Sequence, residues 1–316
     1  MGKLFERIIT VSLNPALDVT LWITSMDFNE PNKATGEQIY AGGKAVNIAR
    51  VLTSLGEEPL ALGMVGEDNS QMFQRLLDGD RVAYDFVSCP GAIRENLTLV
   101  IPDKRVLKVN RAGFPVGRDA MDQVKRRLLE EIQCDGQVLL VFAGSLPPNI
   151  TAEAYKAFIL SLKRDNVKLA IDTSVFKAKD FAELRPFIIK PNLPEFRQIC
   201  GSNLPTEQSI LKSAQRMAEQ VDHVLVSLGA KGLLYASRTQ ALRLASPPAA
   251  VRSTIGAGDT LLAAFIYCLQ QGKSPADAAA YAVAAGTASV MLEGTGVIEG
   301  QMAEELLPRV QIRVLR

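Results

Sequence analysis

Short apolar, β-branched runs alternate with longer segments of helical periodicity along most of the chain. Runs at 7–13, 137–142, 167–171, 187–189 and 223–227 each precede or follow a segment of helix length. That rhythm predicts a mostly parallel sheet with helices on both faces, because strands buried on both sides read as continuous apolar runs. Helix boundaries are written locally. Ser274, Pro275 and Asp277 supply an N-cap, a proline at the first helical position and an acid at the third, directly after Gly272 has closed the preceding helix. The helical pattern at 45–55 likewise stops at Gly56.

Two stretches, 19–40 and 93–112, break the rhythm with strand patterns and no helix between them. The second is a hairpin pattern, 97–101 and 106–110, around the turn Pro102, Asp103, Lys104. Both are expected in a small β lid over the main sheet, within one domain spanning 1–316. Pattern alone would equally suit two ordinary surface hairpins.

Composition narrows the function classes. A chain of 316 residues, 47% hydrophobic and 22% charged, has the makings of a sizeable core, which excludes disorder, collagen and coiled coil. A formal net charge of +1 with no dense Lys/Arg block lacks the footprint of a nucleic-acid or anionic-membrane partner and points to small-molecule work. Residues 1–14 show no secretory leader pattern. The longest apolar run, near 261–269, is about half of the roughly 18 residues a membrane span needs, so no transmembrane helix is expected. Cys89, Cys134, Cys200 and Cys268 are far apart and form no CxxC pair, as expected of reduced thiols in the cytoplasm.

Elimination removes several chemistries. The single histidine, His223, sits in an apolar stretch and reads as structural, which leaves Ser-His-Asp catalysis, His-rich zinc sites and an HRD-type kinase loop without their central residue. The dinucleotide fingerprint G-x-G-x-x-G fails twice, with Leu261 after Gly256 and Gly258, and with Glu299 after Gly294 and Gly296. Gly272, Lys273 and Ser274 resemble the end of a P-loop, but the glycine required earlier is Tyr267. What survives is Thr254-Ile255-Gly256-Ala257-Gly258-Asp259-Thr260, running straight into an apolar helix. Small residues at a helix start let backbone N–H groups approach an anion such as a transferring phosphoryl group, and Asp259 in the first turn could take a proton from an attacking hydroxyl. An ordinary glycine-rich turn capped by an aspartate has the same sequence pattern.

Five motifs in order lift that ambiguity: Gly42-Gly43-Lys44-Ala45-Val46-Asn47, Gly144-Ser145-Leu146-Pro147, Lys190-Pro191-Asn192-Leu193-Pro194-Glu195, Ser227-Leu228-Gly229-Ala230-Lys231-Gly232 and Gly256-Ala257-Gly258-Asp259. Together they resemble the ribokinase-like, or PfkB, sugar kinases from Thr10 to about Gly296. The resemblance implies a Rossmann-like α/β fold with a β-clasp lid, in agreement with the two strand-rich stretches. Ser12-Leu13-Asn14-Pro15-Ala16-Leu17-Asp18, Ser253 and the closing Glu305-Leu306-Leu307-Pro308-Arg309-Val310 are similar to the branch that phosphorylates sugar phosphates.

That resemblance implies ATP and Mg²⁺ as cofactors and a division of roles. Asp259 would be the general base, with the backbone of Gly256, Ala257 and Gly258 holding phosphoryl charge. Asn192 and Glu195 would place Mg²⁺, through water, and the triphosphate. Lys190, Ser227, Gly229, Lys231 and Gly232 would border the nucleotide. Asp18, Gly42, Gly43, Lys44, Asn47 and Ser145 would bind the sugar, and Arg94, Asn96 and Lys108 of the lid would meet its phosphate. The acceptor expected first is fructose 1-phosphate, phosphorylated at its 6-hydroxyl. Fructose 6-phosphate, tagatose 6-phosphate, an unphosphorylated sugar or nucleoside, and a non-catalytic binding module stand as alternatives. Ala45 replaces a glycine common in relatives, and Lys108 stands where many fructose-1-phosphate kinases look acidic, so the phosphosugar stays open. A homodimer through the lid is expected, since a small isolated sheet leaves edges and an apolar face to cover.

Overall fold

The computed structural model describes residues 2–101 and 106–315. The expected turn at Pro102, Asp103 and Lys104 lies outside the described residues. Within them the strands are β1 (Arg7–Ser12), β2 (Ala16–Ile23), β3 (Ala34–Gly42), β4 (Leu60–Gly66), β5 (Ala83–Cys89), β6 (Arg94–Val100), β7 (Val106–Asn110), β8 (Val138–Ala143), β9 (Val167–Asp172), β10 (Ile188–Ile189), β11 (His223–Ser227), β12 (Leu233–Ala236), β13 (Ala241–Ala245) and β14 (Gln311–Val314).

Ten of these form the main sheet, in the order β14-β13-β12-β11-β10-β9-β8-β1-β4-β5. Every pairing from β11 to β5 is parallel, and β12, β13 and β14 extend the edge as an antiparallel meander. The chain thus adopts the expected α/β, Rossmann-like architecture. Helices on both faces explain why a strand such as β8, VLLVFA, is buried at every position. One core cluster lies on each side of the sheet. In the second, the helices Ala257–Gln270 and Pro275–Ser289 pack together, and the run of alanines in the latter permits their close approach. Ser274 accepts a hydrogen bond from the Asp277 N–H with Pro275 at the helix start, which is the cap read from sequence.

The strand order reverses at β1, which lies between β4 and β8. In open α/β sheets the crevice beyond the carboxyl ends at such a reversal is where ligands bind. Asn14 after β1, Gly144 after β8, Asp172 ending β9, Lys190 after β10 and Ser227 ending β11 all fall at these carboxyl ends.

The other four strands form a second sheet, β3-β2-β6-β7, in which only β2 and β6 run parallel. Its strands begin earlier than the hydrophobic pattern suggests, at Ala16 and Arg94, because β2 pairs with β6 from its first residue. Register then writes three rows across one face: Tyr40, Asp18, Asn96, Asn110; then Gln38, Thr20, Thr98, Lys108; then Gly36, Trp22, Val100, Val106. On the opposite face Leu17 and Val19 pack with Phe73 and Leu77, whereas Leu107 and Val109 are exposed.

Candidate active site

Two cavities meet at the carboxyl ends of the parallel strands. The larger, about 740 Å³, has Gly256 to Asp259, Lys190, Asn192 and Ser227 in its polar wall and Val251, Leu261, Val283 and Val290 in its apolar wall. The smaller, about 330 Å³, lies against the polar rows of the small sheet and takes in Asp18, Arg94, Asn96, Lys108, Asn47 and Ser145. Lys44, Gly256 and Asp259 line both.

Gly256 begins this junction with φ of 76°, a left-handed conformation that turns the chain into the helix Ala257–Gln270 and puts Asp259 in its first turn. The Asp259 side chain is buried and accepts a hydrogen bond at 2.9 Å from Asn47 Nδ2, on the helix Lys44–Ser54. Next to it stands a charge network assembled from distant parts of the chain. Asp172, ending β9, is held by Lys44 Nζ at 3.0 Å and Lys190 Nζ at 3.1 Å, and Lys44 also reaches Glu195 at 3.3 Å.

Three carboxylates and two ammonium groups meet around the buried Asp172 and Asp259, so full ionisation would leave one net negative charge. Of the three carboxyls, Asp259 is the one whose affinity for a proton is raised. Burial first, and then the Asp172 carboxylate, push its pKa up to about 7, against the pull of Lys190, Lys44 and Asn47. Burial also works against ionised Asp172, but Lys190 and Lys44 outweigh it and hold that carboxyl below its ordinary range. Burial opposes the charge on Lys44 too, and Asp172, Glu195 and Asp259 more than restore it.

On the small sheet, Asp18 Oδ1 accepts a hydrogen bond at 2.8 Å from Asn96 Nδ2. Burial raises its pKa, opposed by that bond and by the charges of Arg50, Arg94 and Lys108. Gly42 is excluded from the cavity wall but has a reason to be glycine: a Cβ there would lie 2.3 Å from the Asp18 carboxyl carbon. Arg94 donates to the Asn14 and Arg111 carbonyls at 3.3 and 3.1 Å and to Asn96 Oδ1 at 3.3 Å, which aligns the guanidinium along the cavity.

Most of the residues singled out from sequence converge on the two cavities. Gly43, Lys44, Asn47, Asp18, Arg94, Asn96, Lys108 and Ser145 reach the smaller one, and Lys190, Asn192, Ser227, Gly229, Gly232, Ala257 and Gly258 the larger. Lys231 does not: it is exposed in the short turn Gly229–Lys231, and its neighbour Ala230 takes the wall position. Glu195 lines neither cavity. It forms a capping box with Asn192, each side chain accepting from the other's backbone N–H at 2.8 and 2.9 Å, and its second oxygen serves Lys44. Among the described residues no group of three or more His, Cys, Asp or Glu forms a metal cage. Asn192 at the cavity wall and Glu195 behind it already have their side-chain oxygens engaged within the protein, which suits a hard cation held through its own water and not by direct ligation.

Asp172 was not read from sequence, although a carboxylate ending an apolar strand, VKLAID, is a usable signal. Asn110, Thr295 and Thr98 also line the smaller cavity without having been singled out. Asn14 donates to the Ala112 and Leu146 carbonyls at 3.0 Å and to Ser145 Oγ at 3.3 Å, tying the end of β1 to the GSLP turn. His223 is structural, as expected: its ring lies 4.7 Å from Phe187, its Nδ1 is 2.9 Å from the Tyr235 hydroxyl, and burial lowers its pKa to about 4.

Comparison with known proteins gives a consistent answer. Residues 13–300 match the model of the pfkB family carbohydrate kinases. A 1-phosphofructokinase of Vibrio cholerae is 29% identical over 98% of this chain and 98% of its own length. One of Rhodobacter capsulatus is 33% identical over 88% of each. Phosphofructokinase-2 from Escherichia coli, crystallised with substrates and products, superposes with a TM-score of 0.88 at 23% identity, covering 96% of this chain and 99% of that one. At that identity the likeness concerns the fold.

Proposed function

The chain belongs to the pfkB family of carbohydrate kinases, and from that premise we propose that it transfers the γ-phosphoryl group of ATP to a hexose phosphate. The acceptor we assign is fructose 1-phosphate, phosphorylated at its 6-hydroxyl to give fructose 1,6-bisphosphate. The observation that carries this reading is the shared wall. Asp259 and Lys44 stand between a cavity with apolar and anion-suited ends, as a nucleotide needs, and a smaller polar cavity of sugar size.

In this reading Asp259 takes the proton from the acceptor hydroxyl as its oxygen attacks the γ-phosphorus, and a pKa near 7 suits a base working near neutrality. The backbone N–H groups opening the helix at Gly256 to Gly258 hold the charge that spreads over the phosphoryl oxygens, and Lys44 adds a compact positive charge at the boundary. Lys190 keeps Asp172 ionised, so that Lys44 stays charged and fixed. Lys190, Asn192, Ser227, Gly229 and Gly232 border the nucleotide. Asn192 and Glu195 would hold Mg²⁺ through its water, and the ion would neutralise charge along the triphosphate when bound. Asp18 and Asn47 receive sugar hydroxyls, with Gly43 and Ser145 beside them, and Arg94, Asn96 and Lys108 face the substrate phosphate.

The small sheet is read as a lid of one kinase domain and its outer face as a dimer surface, since Leu107 and Val109 stay exposed there. A monomer in light scattering at assay concentration would overturn that assignment. The cytoplasm is the compartment assigned. Its four cysteines are unpaired, and among the described residues no helix is long and apolar enough to cross a membrane.

A second reading, a fructose-6-phosphate or tagatose-6-phosphate kinase acting at the 1-hydroxyl, is favoured by the cation Lys108 in the second row of the sheet. ADP release with Mg-ATP separates the readings, using fructose 1-phosphate, fructose 6-phosphate, tagatose 6-phosphate, fructose, ribose and adenosine in parallel. Preferential turnover of fructose 1-phosphate, lost in Asp259→Asn, is the expected result. Turnover of unphosphorylated acceptors alone would sink the phosphosugar assignment.

A further inference from the structure

Arg50 lies outside both cavities, yet it ties together segments that build one of them. It sits on the helix Lys44–Ser54, one turn beyond Asn47, with a side chain only 2% exposed. Its Nε donates to Asp80 Oδ2 at 2.5 Å, and one terminal nitrogen donates to the Thr295 carbonyl at 3.0 Å. The guanidinium carbon lies 5.2 Å from the centre of the Tyr40 ring. Tyr40 is the cross-strand neighbour of Asp18, and Thr295 lines the smaller cavity. Gly294 closes the arrangement from the other side, since a Cβ there would fall 2.9 Å from Tyr40 Cε2.

Taking an arginine out of water is costly, and an apolar side chain of similar length would pack such a place at less expense. What an apolar chain could not do is hold a main-chain carbonyl, an aromatic face and a carboxylate in fixed relation through one planar fork. The residues so tied, Tyr40 beside Asp18 and Thr295, belong to the acceptor side, and neither lines the larger cavity.

We propose that Arg50 is a positioning residue for acceptor binding, holding the Gly294–Thr295 loop and the Tyr40–Asp18 end of the small sheet at the separation that the acceptor requires. The inference rests on reading the smaller cavity as the acceptor site.

The test is steady-state kinetics of Arg50→Met and Arg50→Lys with the acceptor that wild type turns over best, together with a denaturant melt. Arg50→Met should raise the acceptor KM by about tenfold or more while the KM for ATP stays within about twofold and kcat falls less than the acceptor KM rises. Arg50→Lys, which keeps the charge and one donor contact but loses the fork, should recover part of that loss. An unchanged acceptor KM in folded Arg50→Met would overturn the proposal, as would a parallel rise in both KM values. If Arg50→Met does not fold, Tyr40→Leu removes the aromatic face of the same contact with Arg50 intact. It should raise the acceptor KM alone, and an unchanged value would count against the proposal. Because the acceptor is whichever one wild type uses, a wrong sugar assignment appears in the wild-type panel and a wrong role for Arg50 in the variants.

Discussion

At the junction of the cavities Asp172 has no exposed side-chain surface and is gripped by Lys44 and Lys190, whereas on the small sheet Lys108 is exposed and Arg94 is held mainly by main-chain carbonyls. The first group is built on a fully buried carboxylate, and its members fix one another. Moving one member strands another, so its geometry is preorganised for a single reaction. In the second group Arg94 is half-buried and held by main-chain carbonyls, and Lys108 is exposed. Both act on the buried Asp18 by charge and not by a direct ion pair, so exchanging either costs less than breaking the Asp172 pairs. The contrast implies that the transfer chemistry is rigidly encoded while the choice of acceptor is set on an adjustable surface.

The contrast can be broken or sharpened by measurement. Its largest expected effect is in Asp259→Asn, where loss of the base should lower kcat by about 10² to 10⁴ with both KM values changed only a few-fold. A variant retaining wild-type kcat would remove Asp259 from the chemistry. Next is Asp172→Asn, which removes the buried carboxylate that Lys44 and Lys190 both contact directly and leaves Asp259 as the buried carboxylate near them. A loss of about 3 to 5 kcal/mol in a denaturant melt is expected, and a melt matching wild type would show that the network is not mutually fixed. On the other side of the comparison, Arg94→Ala should weaken phosphosugar binding by about 10- to 100-fold, the cost of one charge-assisted hydrogen bond. Its stability should fall by about 1 to 2 kcal/mol, less than for Asp172→Asn, since its hydrogen bonds to the Asn14 and Arg111 carbonyls and Asn96 are lost. A stability loss as large as that of Asp172→Asn would erase the distinction.

The smallest effect is a pH dependence. Asp259 must be ionised to accept a proton, and burial with the Asp172 charge raises its pKa to about 7. On the acid side of that value kcat/KM should fall by about tenfold per pH unit, recovering as pH rises through 7. An acid limb centred near the ordinary carboxylate range would mean that the base is not the buried group.

What could be read from the chain follows the range of the interactions involved. The helix start at Ser274 and Pro275, the helix stop before Gly56 and the buried strand runs depend on residues a few positions apart, and so does the turn from Gly256 into the helix that carries Asp259. Local steric and hydrogen-bonding preferences decide such features, which is why fold class, sheet character and the glycine turn were legible. The five ordered motifs extended that reading to a carbohydrate kinase, as the family match confirms.

Only the folded chain decided that Asp172 joins Lys44 and Lys190, that Asn47 meets Asp259 across 212 positions, and that Arg50 reaches the Thr295 carbonyl across 245. It also removed Lys231 from the cavity wall and set Glu195 to capping Asn192 and pairing with Lys44. The physical reason is common to all of these. A backbone turn is specified by the conformational preferences of the residues within it. The charge state and aim of a side chain depend on which distant groups share its desolvated space, and sheet register and helix packing choose those groups.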